Sequence, residues 1–112
     1  MTRREEAGSA VQRALMSCMG PGAAEQLAMA QVRVAWAEVV DEARLERGPL
    51  TSRVTKVTGG TAHVEASDPM LAQELKLRSE ALVWAVNQRM RGRPGATIVL
   101  LGMAVSVGRA AG

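Results

Sequence analysis

Glycine and proline cut this chain into pieces that are each the length of one helix or one strand. The breaks are Gly20-Pro21-Gly22, Gly48-Pro49, Gly59-Gly60 and Gly92-Arg93-Pro94-Gly95. Glycine tolerates left-handed backbone and proline lacks the amide that a helix interior or a central strand needs. No element is therefore expected to run through these points. The Gly59-Gly60 pair is the most restrictive. It lies between Leu50 to Thr58, rich in Thr and Val, and Thr61 to Ala66, which alternates strictly. Two glycines between two such runs predict a two-residue hairpin turn. Ala62, Val64 and Ala66 then face one way and Thr61, His63 and Glu65 the other. The alternation slips between Val54 and Val57, which predicts a bulge.

The flanking segments have helical periodicity. Ala7, Val11, Ala14, Leu15 and Cys18 share a face of a first helix, within an N-terminal extension over 1–22. Met1 to Arg4 form a frayed start. Ala23 to Glu46 forms a second helix with the stripe Ala28, Met29, Val32, Ala35, Trp36, Val39, Val40 and Ala43. Ser67-Asp68-Pro69 opens a third, with Ser67 or Asp68 as the cap and Pro69 at the first helical position. It extends to about Arg91. Leu71, Leu75, Leu82 and Val86 lie on one stripe, and Met70, Leu77, Ala81 and Trp84 on the next. Arg78 falls in its apolar sector and is expected to snorkel. Ala96 to Val107 is expected as a final strand, apolar on both faces. The order is α-α-β-β-α-β. The class is α+β, a small three-stranded sheet packed by helices in one domain over 23–112. The helix before the last strand is a crossover, so one strand pair is expected to be parallel.

Composition limits the chemistry. Hydrophobic residues make up 47% of the 112 residues, enough to bury a core and to argue against a disordered chain. No apolar run approaches the ~20 residues of a membrane span, and no secretory signal is read. One cysteine, Cys18, excludes an internal disulfide, and one histidine, His63, excludes a multi-histidine metal site. No nucleophile has a motif around it and no phosphate loop of the ATPase type is present. The chain is read as a non-enzyme without cofactor.

The charge is +3, with twelve Arg and two Lys against eleven acids. Arg suits bidentate phosphate contact. The only tryptophans are Trp36 and Trp84, with no Phe or Tyr, too few rings for a base-stacking platform. Nucleic acid is therefore expected to be held by its backbone, and the candidates are Arg53, Lys56, Lys76, Arg89, Arg91 and Arg93. A literal G-x-x-G at Gly92-Arg93-Pro94-Gly95 has the form of a KH-domain phosphate clamp. In KH domains that loop joins two helices, whereas here it follows a helix and precedes a strand, so it is read as a helix stop. Trp36 and Trp84 are placed in the core, with Trp84 as the alternative interface anchor. Ile98, Leu100 and Ala104 would make the sheet's outer face apolar. Either the N-terminal helix or a second copy of the chain is expected to cover it. Trp84, Ile98 and Leu100 are thus the candidate partner-binding residues.

An ordered series of short motifs resembles a known family. It begins with Trp36-Ala37-Glu38-Val39-Val40 and the strand Thr51-Ser52-Arg53. Gly60-Thr61-Ala62-His63-Val64-Glu65-Ala66, Leu71-Ala72-Gln73-Glu74-Leu75 and Leu82 to Asn87 follow, then Gly92-Arg93-Pro94 and a strand ending at Gly108. The series is similar to the DciA family of bacterial proteins over about residues 24–108. Asp41 stands where that family usually has Gly, and Leu71 where it often has Trp. The resemblance implies a KH-like fold and a cytoplasmic, nucleoid-associated role in chromosome replication. It also implies binding of the replicative DnaB-type helicase and its loading on single-stranded or forked DNA. The alternatives are an RNA-binding KH-like module and a structural dimerisation domain.

Overall fold

The computed structural model describes residues 22–108. The expected first helix, with Cys18, Arg3 and Arg4, lies outside the described residues. The elements are α1 (Ala23–Glu42), β1 (Ser52–Thr58), β2 (Thr61–Ala66), α2 (Pro69–Leu77), α3 (Ser79–Met90) and β3 (Gly102–Val107). The sheet order is β1-β2-β3, with β1 and β2 antiparallel and β2 and β3 parallel. This is the expected α+β architecture with its crossover.

The hairpin forms where the glycines require it. Gly59 and Gly60 have φ of 57° and 81°, both positive as a primed turn demands. The register shifts between Val54 and Lys56, so Thr55 is the extra residue of a bulge. Its hydroxyl donates to the carbonyl of His63 at 3.1 Å. Ala62, Val64 and Ala66 are buried and face the helices. They meet Val32, Ala35, Trp36, Val39 and Val40 from α1, Leu71 and Leu75 from α2, and Leu82 and Val86 from α3. Burying a Val or Leu side chain of this kind stabilises the fold by about 1.5–3 kcal/mol.

α1 ends at Glu42, earlier than the expected Glu46. The stop is a Schellman motif. The Leu45 amide donates to the Val40 carbonyl and the Arg44 amide to that of Asp41, each at 3.0 Å. Arg44 takes the left-handed position at φ 56°, and Leu45 packs into the core beside Val40. An arginine in the place where glycine is usual concealed this stop.

The expected third helix is present as two segments that part at Arg78, whose backbone leaves the helical region at φ −103° and ψ 13°. Asp68 is the cap of α2, its carboxylate accepting from Met70 N at 2.7 Å and Leu71 N at 3.3 Å. Ser67 instead accepts from Thr51 N at 2.8 Å. Arg78 does not snorkel from an apolar sector. It sits exposed at the junction, 3.7 Å from Glu74.

The expected strand over Ala96 to Val107 is correct only from Gly102. Before it, the Asn87 side chain grips Leu100 from both sides. Its Nδ2 donates to the Leu100 carbonyl and its Oδ1 accepts from the Leu100 amide, both at 2.8 Å. Leu100 is thereby turned into the core, 4% exposed. The amides of Leu101 and Gly102 both donate to the Gly60 carbonyl, at 2.7 and 3.3 Å. This doubling shifts the phase of the alternation. Met103 and Val105 pair with the inward residues Ala62 and Val64, while Gly102, Ala104 and Ser106 lie outward. The outer face of the sheet is therefore polar or small, not lined by Ile98 and Leu100. That face presents no broad apolar surface in β3 that needs a cover.

Candidate nucleic-acid and partner interfaces

The six candidate cations separate into two that pair between helices, one that pairs across the sheet and three that are open. Arg89 on α3 reaches Glu38 on α1, Nη1 to Oε1 at 3.4 Å, and also pairs with Glu42. Arg93, in the turn after α3, pairs with Glu38. The Arg93 hydrogen bond is the leading cause that holds the Glu38 carboxyl below its usual value. The Glu42 carboxylate, ahead of Glu38, raises the Arg89 guanidinium. These two arginines clasp α1 to α3, and their charges are matched locally.

The other four candidates are exposed. Arg53 faces outward on β1 and is 3.1 Å from Glu65, its cross-strand partner. Lys56 follows the bulge and lies opposite His63. Lys76 is in the last turn of α2 and Arg91 at the end of α3. Among the described residues Lys56, Lys76 and Arg91 meet no carboxylate within ion-pair distance.

Arg33 is a cation that the sequence reading missed. It leaves α1 to donate to two carbonyls at the bulge, Nε to Val54 at 3.2 Å and Nη2 to Thr55 at 3.4 Å. These bonds orient the guanidinium without neutralising it. Arg33, Arg53 and Lys56 are thus brought to one stretch of the β1 edge. A cleft of about 370 Å³ lies there, lined by Arg33, Trp36, Ala37, Ser52, Arg53, Val54 and Thr55. Its floor is fixed by a relay. Trp36 Nε1 donates to Ser52 Oγ at 3.0 Å, and Ser52 donates from Oγ and N to Glu46 at 2.8 and 2.7 Å. The available signal was spacing: Arg33 is one helical turn before Trp36, on the flank of the buried stripe.

The G-x-x-G segment is closed from within, as a helix stop. Gly92 and Gly95 have φ of 76° and 77°. Leu27 from α1 lies over Gly95 so closely that a β-carbon there would stand 2.3 Å from its Cδ2. Gln31 Nε2 donates to the Pro94 carbonyl at 3.1 Å. The amides of Arg93 and Ala96 donate to the carbonyls of Met90 and Arg93, so neither is turned to a ligand.

Of the apolar candidates, Trp84 is 65% exposed, which overturns its placement in the core and leaves the anchor reading. It shares a groove of about 250 Å³ with Val83, Leu101 and Met103. Leu100 is buried and presents no partner surface. Ile98 is half-buried in a separate cleft beside Met29 and Val57. His63 lies on the outward face with Thr61 and Glu65. Among the described residues no group of His, Cys, Asp and Glu is placed to hold a metal ion, and no helix is long and apolar enough to cross a membrane.

The family model described as Dna[CI] antecedent, DciA, matches residues 2–100. The chain belongs to the DciA family. That match takes in the Trp36 to Val40 motif, the hairpin, both helices of the crossover and the Asn87–Leu100 clamp. DciA membership carries a general role in loading the DnaB-type replicative helicase. No curated protein and no solved structure matches the chain.

Proposed function

We propose that this DciA-family chain is a non-enzymatic replication factor of the bacterial cytoplasm that binds the replicative DnaB-type helicase and holds single-stranded or forked DNA by its phosphates. The observation that carries the DNA reading is the convergence of Arg33, Arg53 and Lys56 at the bulged β1 edge. Arg33 and Lys56 face no carboxylate there among the described residues. A bulge twists the edge strand and re-aims its side chains, and Arg33 is pre-oriented by two carbonyls. Lys76 and Arg91 extend the open positive surface. Arg89 and Arg93 are spent on the helix clasp and are reassigned to stability.

A KH-like arrangement is compatible with two helices bridging parallel strands. The junction between those helices is Leu77-Arg78-Ser79, without the glycines of a phosphate clamp. That favours backbone contact at β1 over the RNA-binding KH alternative. The helicase contact rests on family membership.

The test is a pull-down of the full chain with the DnaB-type helicase, with and without fluorescent forked DNA. The double variant Arg53→Ala with Lys56→Ala should lose DNA while retaining helicase. Failure of the wild type to retain helicase, or full DNA retention by the double variant, rejects the reading.

A further inference from the structure

The two edges of the sheet are treated differently. β1 is guarded by its bulge, by Lys56, and by Arg33, which occupies the carbonyls of Val54 and Thr55. These are the devices by which edge strands avoid pairing with other chains. β3 has none of them. Gly102 to Val107 contains no charge and no proline, runs without a bulge in its register with β2, and has no second neighbour among the described residues.

Which groups line that free edge follows from the ladder. The amides of Gly102 and Gly108 donate toward β2, to the carbonyls of Gly60 and Ala66 at 3.3 and 2.9 Å. Alternation turns the amides and carbonyls of Met103, Val105 and Val107 outward. The same three residues lie on the helix side of the sheet, by their pairing with Ala62, Val64 and Ala66.

We propose that the β3 edge is a homodimer interface, in which β3 of a second copy pairs antiparallel about a two-fold axis at Val105. That axis sets Val105 against Val105 and Met103 against Val107. These residues carry the outward backbone groups, so they form the hydrogen-bonded pairs of the new ladder. They also lie on one face, so the helix sides of both copies stay together. Ala104 falls opposite Ser106, and the outer face stays small and polar across the junction. An isologous contact needs this self-complementarity, and a strand without charge brings no like charges together on itself.

The exposed apolar side chains fit the same pairing. Val107 is 49% exposed, Trp84 65% and Leu101 80%. In the pair, Val107 of the second copy comes opposite Met103, which lines the groove with Trp84 and Leu101. The groove thus receives an apolar residue from the other chain, twice by symmetry. Trp36 is 3% exposed and outside this groove, so Trp84 is the tryptophan that reports on it.

The test uses the full chain without helicase or DNA, so its outcome is independent of the proposed function. Sedimentation velocity over a concentration series should show the mass rising to twice that of the monomer, with a blue shift of tryptophan emission. Val107→Lys places a charge against the groove. Val105→Pro removes an outward amide that β2 does not use, a substitution that edge strands tolerate. Both should remain monomeric at concentrations where the wild type is dimeric. If Val105→Pro loses its circular dichroism signature, Val107→Lys decides. A wild type that stays monomeric overturns the proposal, including where deletion of residues 1–21 is needed to release a dimer. A dimer that survives Val107→Lys overturns it as well.

Discussion

Arg44 holds the only left-handed backbone among the described residues other than glycine. A side chain in that conformation is disfavoured by roughly 1–2 kcal/mol. It persists because the Schellman bonds and the burial of Leu45 fix the turn. Arg44→Gly should therefore raise stability by about 1 kcal/mol, read as a higher urea midpoint with an unchanged slope. Asn87 presents the opposite case. Its amide completes both backbone groups of buried Leu100, 13 residues away. Asn87→Ala leaves those groups unpaired and should cost about 2–4 kcal/mol. Protection of the Leu100 amide in hydrogen exchange should fall with it. A cap at Ser67 or Asp68 and the glycines of the hairpin were legible in the sequence because a cap and a primed turn are chemistry between adjacent residues. Asn87 was not, since an amide on a helix flank gives no sign of the backbone it will meet.

Elements show the same division. The strands flanking Gly59-Gly60 and the buried stripe of α1 follow from period alone. The break at Arg78 and the start of β3 at Gly102 do not. Both depend on where α2 and α3 settle against β3, which is a tertiary outcome. The clasp between α1 and α3 is less legible still. Arg89 meets Glu38 across 51 residues and Arg93 meets it across 55, so arginines expected to face phosphate are ion-paired to α1. The clasp has a pH signature. The Glu38 carboxyl is held below its ordinary value, so its stabilising contribution is present above the unfolded carboxylate value, about pH 4.3. It is lost as pH falls through the lower folded value. The urea midpoint of the wild type should drop below about pH 4. Glu38→Gln should be less stable at neutral pH and show a shallower acid decline. Equal acid slopes for the two proteins would remove Glu38 from the clasp.

On the scale of the whole molecule, charge is sorted more sharply than composition suggests. A net charge of +3 is modest, yet the ion pairs neutralise Arg89 and Arg93 and leave Arg33 and Lys56 open beside Arg53. Composition argued against a stacking platform and was compatible with phosphate contact. The sequence series from Trp36 onward resembled the family that the match over residues 2–100 shows. The placement of the open cations required the fold, because Arg33 reaches the bulge from another element. Backbone-directed binding has a thermodynamic mark that other modes lack. Each phosphate contact releases counterions, and on single strands it adds about −0.7 to the slope of log affinity against log salt.

That slope is the most direct test of the account. Binding of the full chain to single-stranded DNA should be measured over a range of salt concentrations for the wild type and for Arg53→Ala with Lys56→Ala. The double variant should bind more weakly and lose about 1–2 from the slope, with the same loss on sequences of different composition. Arg89→Gln should keep the wild-type slope while lowering stability. An unchanged slope in the double variant, or a slope reduced by Arg89→Gln alone, would contradict the assignment of DNA to the bulged edge of β1.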